Sequence, residues 1–330
     1  MATSTYSLSA SPAISVILPV LNEELHLEEA IRAILSQDYL GKFEVILALG
    51  PSKDRTSEIA KHISAQDSRV VLVSNPSGKT AAGLNAALEK SENEIIVRVD
   101  GHSKIPTNYL SLVVEILKKT GAVNVGGVMA AVGVTNFEKA VAGAMTSPLG
   151  VGASRFHTGG SAGEVDTVYL GAFIRSALID IGGFDERFIR AQDWELNHRL
   201  RENGGIVYFD PRLEVTYRPR PNLGRLAKQY FEYGRWRRVV SRRHKGTINF
   251  RYLAPPLTLI GFCASLILGM IFSPILFLPA FIYTSFIIFG SILISKSLLD
   301  FFLLLIILPV MHFSWGAGFI TSPRSIVPMG

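Results

Sequence analysis

Residues 14–24, Ile-Ser-Val-Ile-Leu-Pro-Val-Leu-Asn-Glu-Glu, join a short apolar run to a polar end. The run Ile14–Val20 has the length and composition of a strand that is buried on both faces. Asn22, Glu23 and Glu24 follow it almost directly and indicate a loop at the carboxyl end of that strand. The stretch therefore predicts the first strand of a buried sheet, running into a polar loop.

Strand and helix patterns alternate over the following residues. Apolar runs typical of strands lie at Phe43–Leu49, Val70–Ser74 and Glu94–Val99, with helical patterns between the strands at Leu25–Ser36, Thr56–Ala65 and Thr80–Glu89. This alternation predicts an α/β fold with a doubly wound, mostly parallel sheet and helices on both faces. Ligands of such sheets bind beyond the carboxyl ends of the strands. The loops after these four strands are therefore the expected site.

The C-terminal part of the chain has a different composition. From Tyr252 to Ser322 only Lys296 and Asp300 carry a formal charge. The segment contains three apolar stretches, Ala254–Phe272, Pro274–Ile294 and Leu298–Ile320. Each approaches the ~20 residues that a helix needs to cross the bilayer core. We predict about three transmembrane helices, of which the first two either span fully or form a shallow re-entrant hairpin.

The net charge of +6 is concentrated before the apolar segment. Arg218–Arg251 contains eleven Lys or Arg and one acidic residue, Glu232. A basic segment that leads into membrane sequence is typical of the cytoplasmic side, where anionic lipids attract it. Membrane lipids are therefore expected partners and nucleic acid is not. The single cysteine, Cys263, argues against a disulfide framework and a cysteine-based metal site.

These features predict five segments and a location. Met1–Ala13 is rich in Ser, Thr and Ala and lacks the apolar core of a secretory signal, so the large N-terminal domain is expected in the cytoplasm, at the plasma membrane. The expected segments are a disordered N-terminus at 1–13, an α/β domain at 14–217, a basic interfacial segment at 218–251, multi-pass membrane helices at 252–322 and a tail at 323–330.

The sequence Asp100-Gly101-His102 follows the fourth predicted strand. Asp100 and His102 are two positions apart, so both side chains can reach one ion from an extended loop. Oxygen and imidazole ligands suit Mn²⁺ or Mg²⁺ that bridges a diphosphate. The alternative is a turn at the strand end, in which Asp100 caps the backbone.

Three further segments carry candidate chemistry. Asn75–Thr80 offers Lys79 and backbone N–H groups to a phosphate, although Val73 stands where a P-loop requires glycine. Asp193 can act as a general base, with Trp194 stacked on a sugar. In Gln229–Arg238, Arg235 can pair with phosphate oxygens, and aromatic residues can lie at the lipid headgroups. The alternatives are a plain helix start, a capping Asp with a core Trp, and an interfacial amphipathic helix without a catalytic role.

The order of these segments resembles the inverting glycosyltransferases of family 2. The segments that carry the resemblance are Ser15–Glu23, Ser52–Thr56, Asn75–Asn85, Asp100–His102, Gly182–Asp193 and Gln229–Trp236. The resemblance implies a GT-A fold with the nucleotide in the N-terminal half and the acceptor in the C-terminal half. It also implies a set of roles: donor binding by Pro19, Asn22, Glu23, Asp54, Lys79, Asn85 and Asp100, metal binding by Asp100 and His102, base catalysis by Asp193, and acceptor or diphosphate contacts by Trp194, Arg235 and Trp236.

The function that this resemblance implies is sugar transfer in polysaccharide or cell-envelope glycan synthesis. The expected donor is a nucleotide-sugar, foremost a UDP-sugar, and the expected acceptor is a lipid-linked saccharide. Leu49 and Gly50 replace the acidic pair that usually contacts the nucleoside, so the identity of the nucleotide stays open. His102 replaces an Asp, which lowers the negative charge of the metal site, so binding of the ion is expected to depend more on the phosphates of the nucleotide. The distance from Gln229 to Arg235 does not support processivity. The alternatives are a polyprenyl-phosphate sugar synthase and a non-catalytic membrane subunit.

Overall fold

The computed structural model describes residues 6–326, which form two compact units. Unit 1 consists of the chain up to Ala130 together with Gly159–Tyr217, and unit 2 consists of Ala131–Thr158 and the chain from Arg218 onward. Residues 131–158 were expected, from the sequence, to belong to the α/β domain. In the structure these residues pack against the apolar C-terminal helices, which groups them with unit 2.

Unit 1 is an α/β unit built on eight strands. The strands are β1 Ile14–Val20, β2 Phe43–Leu49, β3 Val70–Ser74, β4 Ile95–Arg98, β5 Asn124–Ala131, β6 Gly163–Glu164, β7 Tyr169–Ile174 and β8 Val207–Tyr217. The helices are α1 Leu27–Leu35, α2 Thr56–Gln66, α3 Thr80–Lys90, α4 Tyr109–Thr120, α8 Arg175–Asp180 and α9 Gln192–Glu202, the numbers α5–α7 belonging to unit 2.

The sheet is mixed, in the order β3-β2-β1-β4-β7-β5-β8-β6. The first four strands are parallel, as their alternation with helices predicted, because each crossover helix returns the chain to the same edge. β7 pairs antiparallel with both β4 and β5, and β6 pairs antiparallel with β8. The order of the parallel strands reverses between β1 and β4, so the carboxyl ends of these two strands open the crevice where such sheets bind ligands.

The strand β1 is buried except for Pro19, which is half-buried. Its ladder with β4 ends at the pair Ile17 and Arg98. Pro19 therefore lies beyond the shorter strand, where its missing N–H interrupts no ladder bond to β4. The end of β1 and the loop behind it stand next to the end of β4.

Unit 2 contains the apolar helices and the segments that pack on them. Its helices are α5 Asn136–Met145, α6 Pro148–Val151, α7 Arg155–Thr158, α10 Leu223–Arg243, α11 Phe250–Ile271, α12 Leu278–Ile294 and α13 Leu298–Thr321, with a 3₁₀ turn at Pro274–Phe277. The stretch 143–163, which is rich in Gly, Ala and Ser, contains the end of α5 and two short helices.

The helix α10 packs closely along α13 through glycines. A Cβ atom at Gly318 would lie 1.9 Å from the Phe231 carbonyl oxygen, and one at Gly234 would lie 1.9 Å from the Trp315 carbonyl oxygen. Only residues without a side chain allow the two backbones to approach this closely. The basic segment is therefore not a free surface helix, because part of it is packed against an apolar one.

Within residues 6–326, three helices are long and apolar enough to cross a membrane: Phe250–Ile271, Pro274–Ile294 and Leu298–Thr321. These match the three predicted stretches closely. Their large apolar side chains stay mostly uncovered, as at Met270, Phe281 and Phe302. An uncovered apolar surface of this length fits a hydrocarbon surrounding and not water.

The two chain ends are described only in part. Within the expected disordered N-terminus, the N–H and Oγ of Ser9 donate hydrogen bonds to the Glu94 carboxylate, at 2.8 Å and 2.5 Å. Residues 1–5 of that segment and 327–330 of the expected tail lie outside the described residues.

Candidate active site

The loop after β1 is held against the loop after β2 by side chains of both. The N–H of Asn22 donates to Ser52 Oγ at 3.0 Å, and the N–H of Lys53 donates to Asn22 Oδ1 at 2.8 Å. Asn22 itself has φ +55°, a conformation that asparagine tolerates better than most residues. The Glu23 N–H donates to Thr56 Oγ1 at 2.7 Å. The two loops thus form one connected wall at the carboxyl edge of the sheet.

Asp54 shapes this wall with its carboxylate. Oδ1 accepts from the N–H and the hydroxyl of Thr56, at 3.1 Å and 2.5 Å, and Oδ2 accepts from the Glu24 N–H at 3.2 Å. The hydrogen bond from the Thr56 hydroxyl is the main cause that lowers the pKa of Asp54. The carboxylate is therefore ionised and engaged by the chain's own groups. A direct contact of Asp54 with the donor stays a prediction.

The Asn75–Thr80 turn presents Lys79 to solvent at the start of α3. Asn75 Nδ2 donates to the Lys79 carbonyl oxygen at 3.1 Å, and Ser77 Oγ donates to Asn75 Oδ1 at 2.9 Å. Gly78 has φ +64°, which lets the chain turn tightly into the helix. Lys79 is exposed and keeps its ammonium available to a phosphate.

Asn85, expected to bind the donor, ties α3 to the turn that precedes α9. Its Nδ2 donates to the Phe184 carbonyl oxygen at 2.8 Å and to Glu186 Oε1 at 2.9 Å, and its Oδ1 accepts from the Phe184 N–H at 2.8 Å. Gly183 has φ +69°, and a Cβ there would meet Asn85 Oδ1 at 2.8 Å. The side chain therefore has a clear role in holding this turn, while its role toward the donor stays a prediction.

The centre of the site is a buried arginine between two carboxylates. Arg98, the last residue of β4, donates through Nη2 to Asp100 Oδ1 at 3.1 Å and through Nη1 to Asp193 Oδ1. The guanidinium side chain is only 5% exposed, whereas the carboxyl side chains of Asp100 and Asp193 are 21% and 28% exposed. The metal candidate Asp100 and the base candidate Asp193, 93 positions apart in the chain, thus both contact the Arg98 guanidinium.

The electrostatics of this cluster follow from burial and charge. Burial raises the pKa of Asp193 to about 6, against the lowering effect of Arg98, and Asp100 adds to the rise. Burial opposes the charge of Arg98, but the two carboxylates outweigh it and raise the guanidinium pKa, so Arg98 stays a cation. Tyr169, at the start of β7, has a raised pKa because of burial and the nearby Asp100 carboxylate. At neutral pH the base candidate is therefore mostly ionised, with a pKa in the range that suits a general base.

His102 lies against the loop after β1. Its Nδ1 is 2.8 Å from Glu23 Oε1, and its side chain is 43% exposed. Glu23, expected to bind the donor, thus adjoins the second metal candidate.

The site offers a divalent cation few side-chain ligands, but those present are of a suitable kind. Within the described part of the chain, no three His, Cys, Asp or Glu side chains are grouped as a complete metal site. Asp100 and His102 are partly exposed, and one Asp100 oxygen is used by Arg98. An oxygen and an imidazole nitrogen suit Mn²⁺, but they do not fill its coordination shell. The residues therefore fit an ion whose remaining ligands come from a bound diphosphate.

The start of α9 is fixed by a second ion pair. Glu195 is buried, and its two carboxylate oxygens accept from Arg199 Nε and Nη2, each at 2.7 Å. Arg199 also donates to the carbonyl oxygens of Ile181 and Gly183, at 2.7 Å and 2.8 Å. The helix that carries Asp193 is thus anchored to the same turn that Asn85 holds.

Trp194 offers at most one face of its indole ring to a sugar. Its indole stacks on His198 with the ring centroids 5.3 Å apart, and the residue is half-buried. One ring face is thus already occupied. A stacking contact with a sugar stays a prediction for the other face.

Arg235 and Trp236 lie on α10 in unit 2. Trp236 is 4% exposed, and its Nε1 donates to Glu232 Oε2 at 3.2 Å. Arg235 Nη1 donates to Glu232 Oε1 at 3.3 Å. Trp236 is therefore a packing residue in this structure. The acceptor or diphosphate contacts expected of both residues stay predictions.

Arg98 and the ion pair of Glu195 with Arg199 were not predicted from the sequence. Arg98 did leave a signal, since it is the one charged residue in the apolar stretch Ile95–Val99. A charge inside a buried strand is rare unless it is paired. Glu195 and Arg199 have the spacing of a helical ion pair, but that spacing is common on exposed helices.

Known proteins resemble this chain in sequence and in fold. The protein-family model described as "Glycosyl transferase family 2" matches residues 15–182. The succinoglycan biosynthesis protein ExoA of Rhizobium meliloti (strain 1021) is 32% identical over 242 residues, which are 73% of each chain. A second relative, from Methanococcus voltae, is 24% identical over 73% of this chain and 77% of its own. Its name is dolichyl N-acetyl-alpha-D-glucosaminyl phosphate 3-beta-D-2,3-diacetamido-2,3-dideoxy-beta-D-glucuronosyltransferase.

Among solved structures, the fold is similar to that of the mannosyltransferase PcManGT from Pyrobaculum calidifontis, determined in complex with GDP-Man and Mn²⁺. The TM-score is 0.67 at 18% identity, over 98% of this chain and 90% of the other. At this identity the likeness concerns the fold.

Proposed function

The chain belongs to glycosyltransferase family 2, and on that premise we propose that it transfers a sugar, with inversion, from a nucleotide-sugar to a lipid-linked saccharide. The observation that carries the proposal is the cluster of Asp100, Arg98 and Asp193 at the crevice between β1 and β4. It unites a carboxylate suited to a cation, a carboxylate suited to a base, and a buried cation between them.

The donor side of the proposal rests on the loops around the crevice. Lys79 offers an exposed ammonium to phosphate oxygens, and Asn22 and Glu23 line the edge of the sheet. Asp100 and His102 would hold Mn²⁺ or Mg²⁺ together with the diphosphate. Such an ion supplies positive charge that stabilises the departing diphosphate. The related fold of PcManGT, which carries GDP-Man and Mn²⁺, supports this arrangement. UDP-sugars and GDP-sugars are both candidates.

The acceptor side rests on the apolar helices and on one relative. The name of the Methanococcus voltae enzyme specifies transfer to a sugar on dolichyl phosphate. The three candidate spans of this chain would keep the enzyme at the membrane, where such an acceptor resides. The basic segment 218–251 supports an active site on the cytoplasmic face.

The proposed reaction is a single displacement. Asp193 accepts the proton of the acceptor hydroxyl, whose oxygen forms a bond to the anomeric carbon from the face opposite the diphosphate. The bond between the anomeric carbon and the phosphate oxygen breaks, and its electron pair leaves with the nucleoside diphosphate. The proton on Asp193 then passes to solvent. The configuration at the anomeric carbon is inverted.

The test is the exchange Asp193→Asn in the full-length protein in detergent. The readout is release of UDP or GDP from UDP-glucose, UDP-N-acetylglucosamine and GDP-mannose, in a membrane-lipid extract that supplies acceptors. Loss of a general base lowers turnover about 10²–10⁴-fold. Asp166→Asn, at an exposed carboxylate, is the control and should leave turnover unchanged.

The same experiment distinguishes the proposed transferase from a polyprenyl-phosphate sugar synthase. A polyprenyl-phosphate acceptor is already anionic and needs no base. If Asp193→Asn retained turnover within about threefold, the base assignment would be wrong and the polyprenyl-phosphate reaction would be favoured.

A further inference from the structure

Arg98 is a charged residue in a place that normally rejects charge. It ends β4 after Ile95, Ile96 and Val97, and only 4% of it is exposed. Burying a cation is costly unless its hydrogen bonds are directed at opposite charges. The partners of Arg98 are the two carboxylates to which the proposed reaction assigns chemistry.

The contacts divide each carboxylate into a held oxygen and a free oxygen. Arg98 contacts Oδ1 of Asp100 and Oδ1 of Asp193, through two different guanidinium nitrogens. Within residues 6–326, Oδ2 of each carboxylate accepts no hydrogen bond and is available to another partner. A guanidinium is planar and rigid, so two carboxylates bound to its two terminal nitrogens are fixed relative to each other.

We propose that Arg98 is a positioning residue that sets the distance and orientation between the metal-binding carboxylate of Asp100 and the base carboxylate of Asp193. This inference rests on the proposed function. The free oxygen of Asp100 would then be available to the cation, and the free oxygen of Asp193 to the acceptor hydroxyl. The attacking oxygen and the leaving group must be aligned across the anomeric carbon, and misplacement by about 1 Å can cost 10²-fold in rate.

The positive charge of Arg98 favours turnover through positioning, but it has an unfavourable effect on binding of the divalent ion. A cation beside Asp100 weakens the attraction of that carboxylate for a divalent ion. A variant without the charge should therefore bind the metal–nucleotide pair more tightly, although it turns over more slowly. A purely structural loss would weaken both, because a loosened site binds and reacts less well.

Two variants separate charge from geometry. Arg98→Met removes the charge and keeps much of the volume. Arg98→Lys keeps the charge but has one ammonium on a flexible stem, which cannot hold two carboxylates in a fixed fork. Binding of UDP and of GDP in the presence of MnCl₂ is measured by calorimetry on the full-length protein. Turnover is measured as release of the nucleoside diphosphate.

The chain offers a matched control in Arg212. This arginine also bridges two carboxylates of unit 1, with Nη2 2.8 Å from Asp210 Oδ2 and Nη1 2.8 Å from Glu115 Oε1. Asp210 is buried, whereas the side chain of Arg212 is 46% exposed. Arg212→Met therefore removes a bridge between two carboxylates at a more exposed place without assigned chemistry. It reports what loss of such a bridge does to stability alone.

The expected pattern has three parts. Arg98→Met lowers turnover about 10²-fold and tightens Mn²⁺-dependent nucleotide binding about threefold or more. Arg98→Lys binds like the wild type but keeps the low turnover. In the Asp193→Asn background, Arg98→Met lowers turnover far less than in the wild type, because two residues that act as one unit are not additive.

Other patterns overturn the inference. Arg98→Lys with wild-type turnover would show that charge alone suffices. If Arg98→Met lowered turnover, nucleotide affinity and melting temperature together, the role of Arg98 would be structural. If Arg98→Met lowered turnover as much in the Asp193→Asn background as in the wild type, Arg98 would act independently of the base. If the wild-type protein bound neither UDP nor GDP with Mn²⁺, the proposed function would fail together with the inference. If the wild-type protein bound UDP or GDP with Mn²⁺ but the effects of Arg98→Met and Asp193→Asn on turnover were additive, only the inference about Arg98 would be overturned.

Discussion

The exchange Asn85→Ala tests whether this side chain holds the fold or the donor. Its amide makes two hydrogen bonds with the backbone of the buried Phe184, both at 2.8 Å. Each contributes about 0.5–1.5 kcal/mol net, so their loss should lower the free energy of unfolding by about 1–3 kcal/mol. The bond to Glu186 is exposed and adds little. For a unit of this size, about 2 kcal/mol corresponds to a melting temperature lower by roughly 4–8 °C.

The assay is thermal unfolding of the detergent-solubilised protein, followed by circular dichroism at one scan rate. Glu89→Ala is the control, because Glu89 is exposed on the same helix, α3. It should leave the melting temperature unchanged. The reasoning is refuted if Asn85→Ala melts like the wild type but loses affinity for UDP and GDP. Asn85 would then be the donor contact that the family resemblance implies.

Three further predictions concern the fall of turnover at acid pH, binding of the divalent cation and packing of the membrane helices. Because the pKa of Asp193 is raised to about 6, its base form is lost below that pH, and turnover should fall about tenfold per pH unit there. Arg98 lowers this pKa, so Arg98→Met should move the acid limb to higher pH; a flat profile between about pH 5 and 7 contradicts the assignment. Mn²⁺, followed by electron paramagnetic resonance, should bind weakly to the protein alone and tightly when UDP or GDP is added, since the chain supplies too few ligands; equal affinity in both cases would argue against a shared site. Gly318→Ala should cost about 1–3 kcal/mol or more, because its Cβ would lie 1.9 Å from the Phe231 carbonyl oxygen, whereas Gly261→Ala, with nothing within 4 Å, should be tolerated in the same detergent melting assay.

The amino-acid sequence was sufficient to predict most of the elements of the fold. The apolar run Ile14–Val20 is the central strand β1, and the stretches between Ala254 and Ile320 are helices within a few residues of their predicted ends. These features are local, because strand and helix patterns repeat every two or about 3.6 residues and a span needs a fixed apolar length. The order of the family segments was equally readable, and it identified the glycosyltransferase family before any coordinates were known.

The sequence did not predict how the later strands join the sheet or where residues 131–158 belong. β7 lies between β4 and β5, antiparallel to both, although nothing in its composition sets it apart from a parallel strand. The segment 131–158 has a mixed composition that fits either unit. Its assignment depends on packing against α13, and packing partners far apart in the chain leave no periodic trace in the sequence.

The candidate site shows the same division between what is local and what is not. Asp100, His102 and Asp193 became site candidates from the sequence alone, because each stands in a short segment that resembles a family motif. Only the tertiary structure gave Arg98 its two partners, since the bond to Asp193 joins residues 95 positions apart. The reason is physical: a sequence pattern reports whether a side chain is buried, but the opposite charge that makes burial tolerable is supplied by whichever strand or helix the fold places beside it.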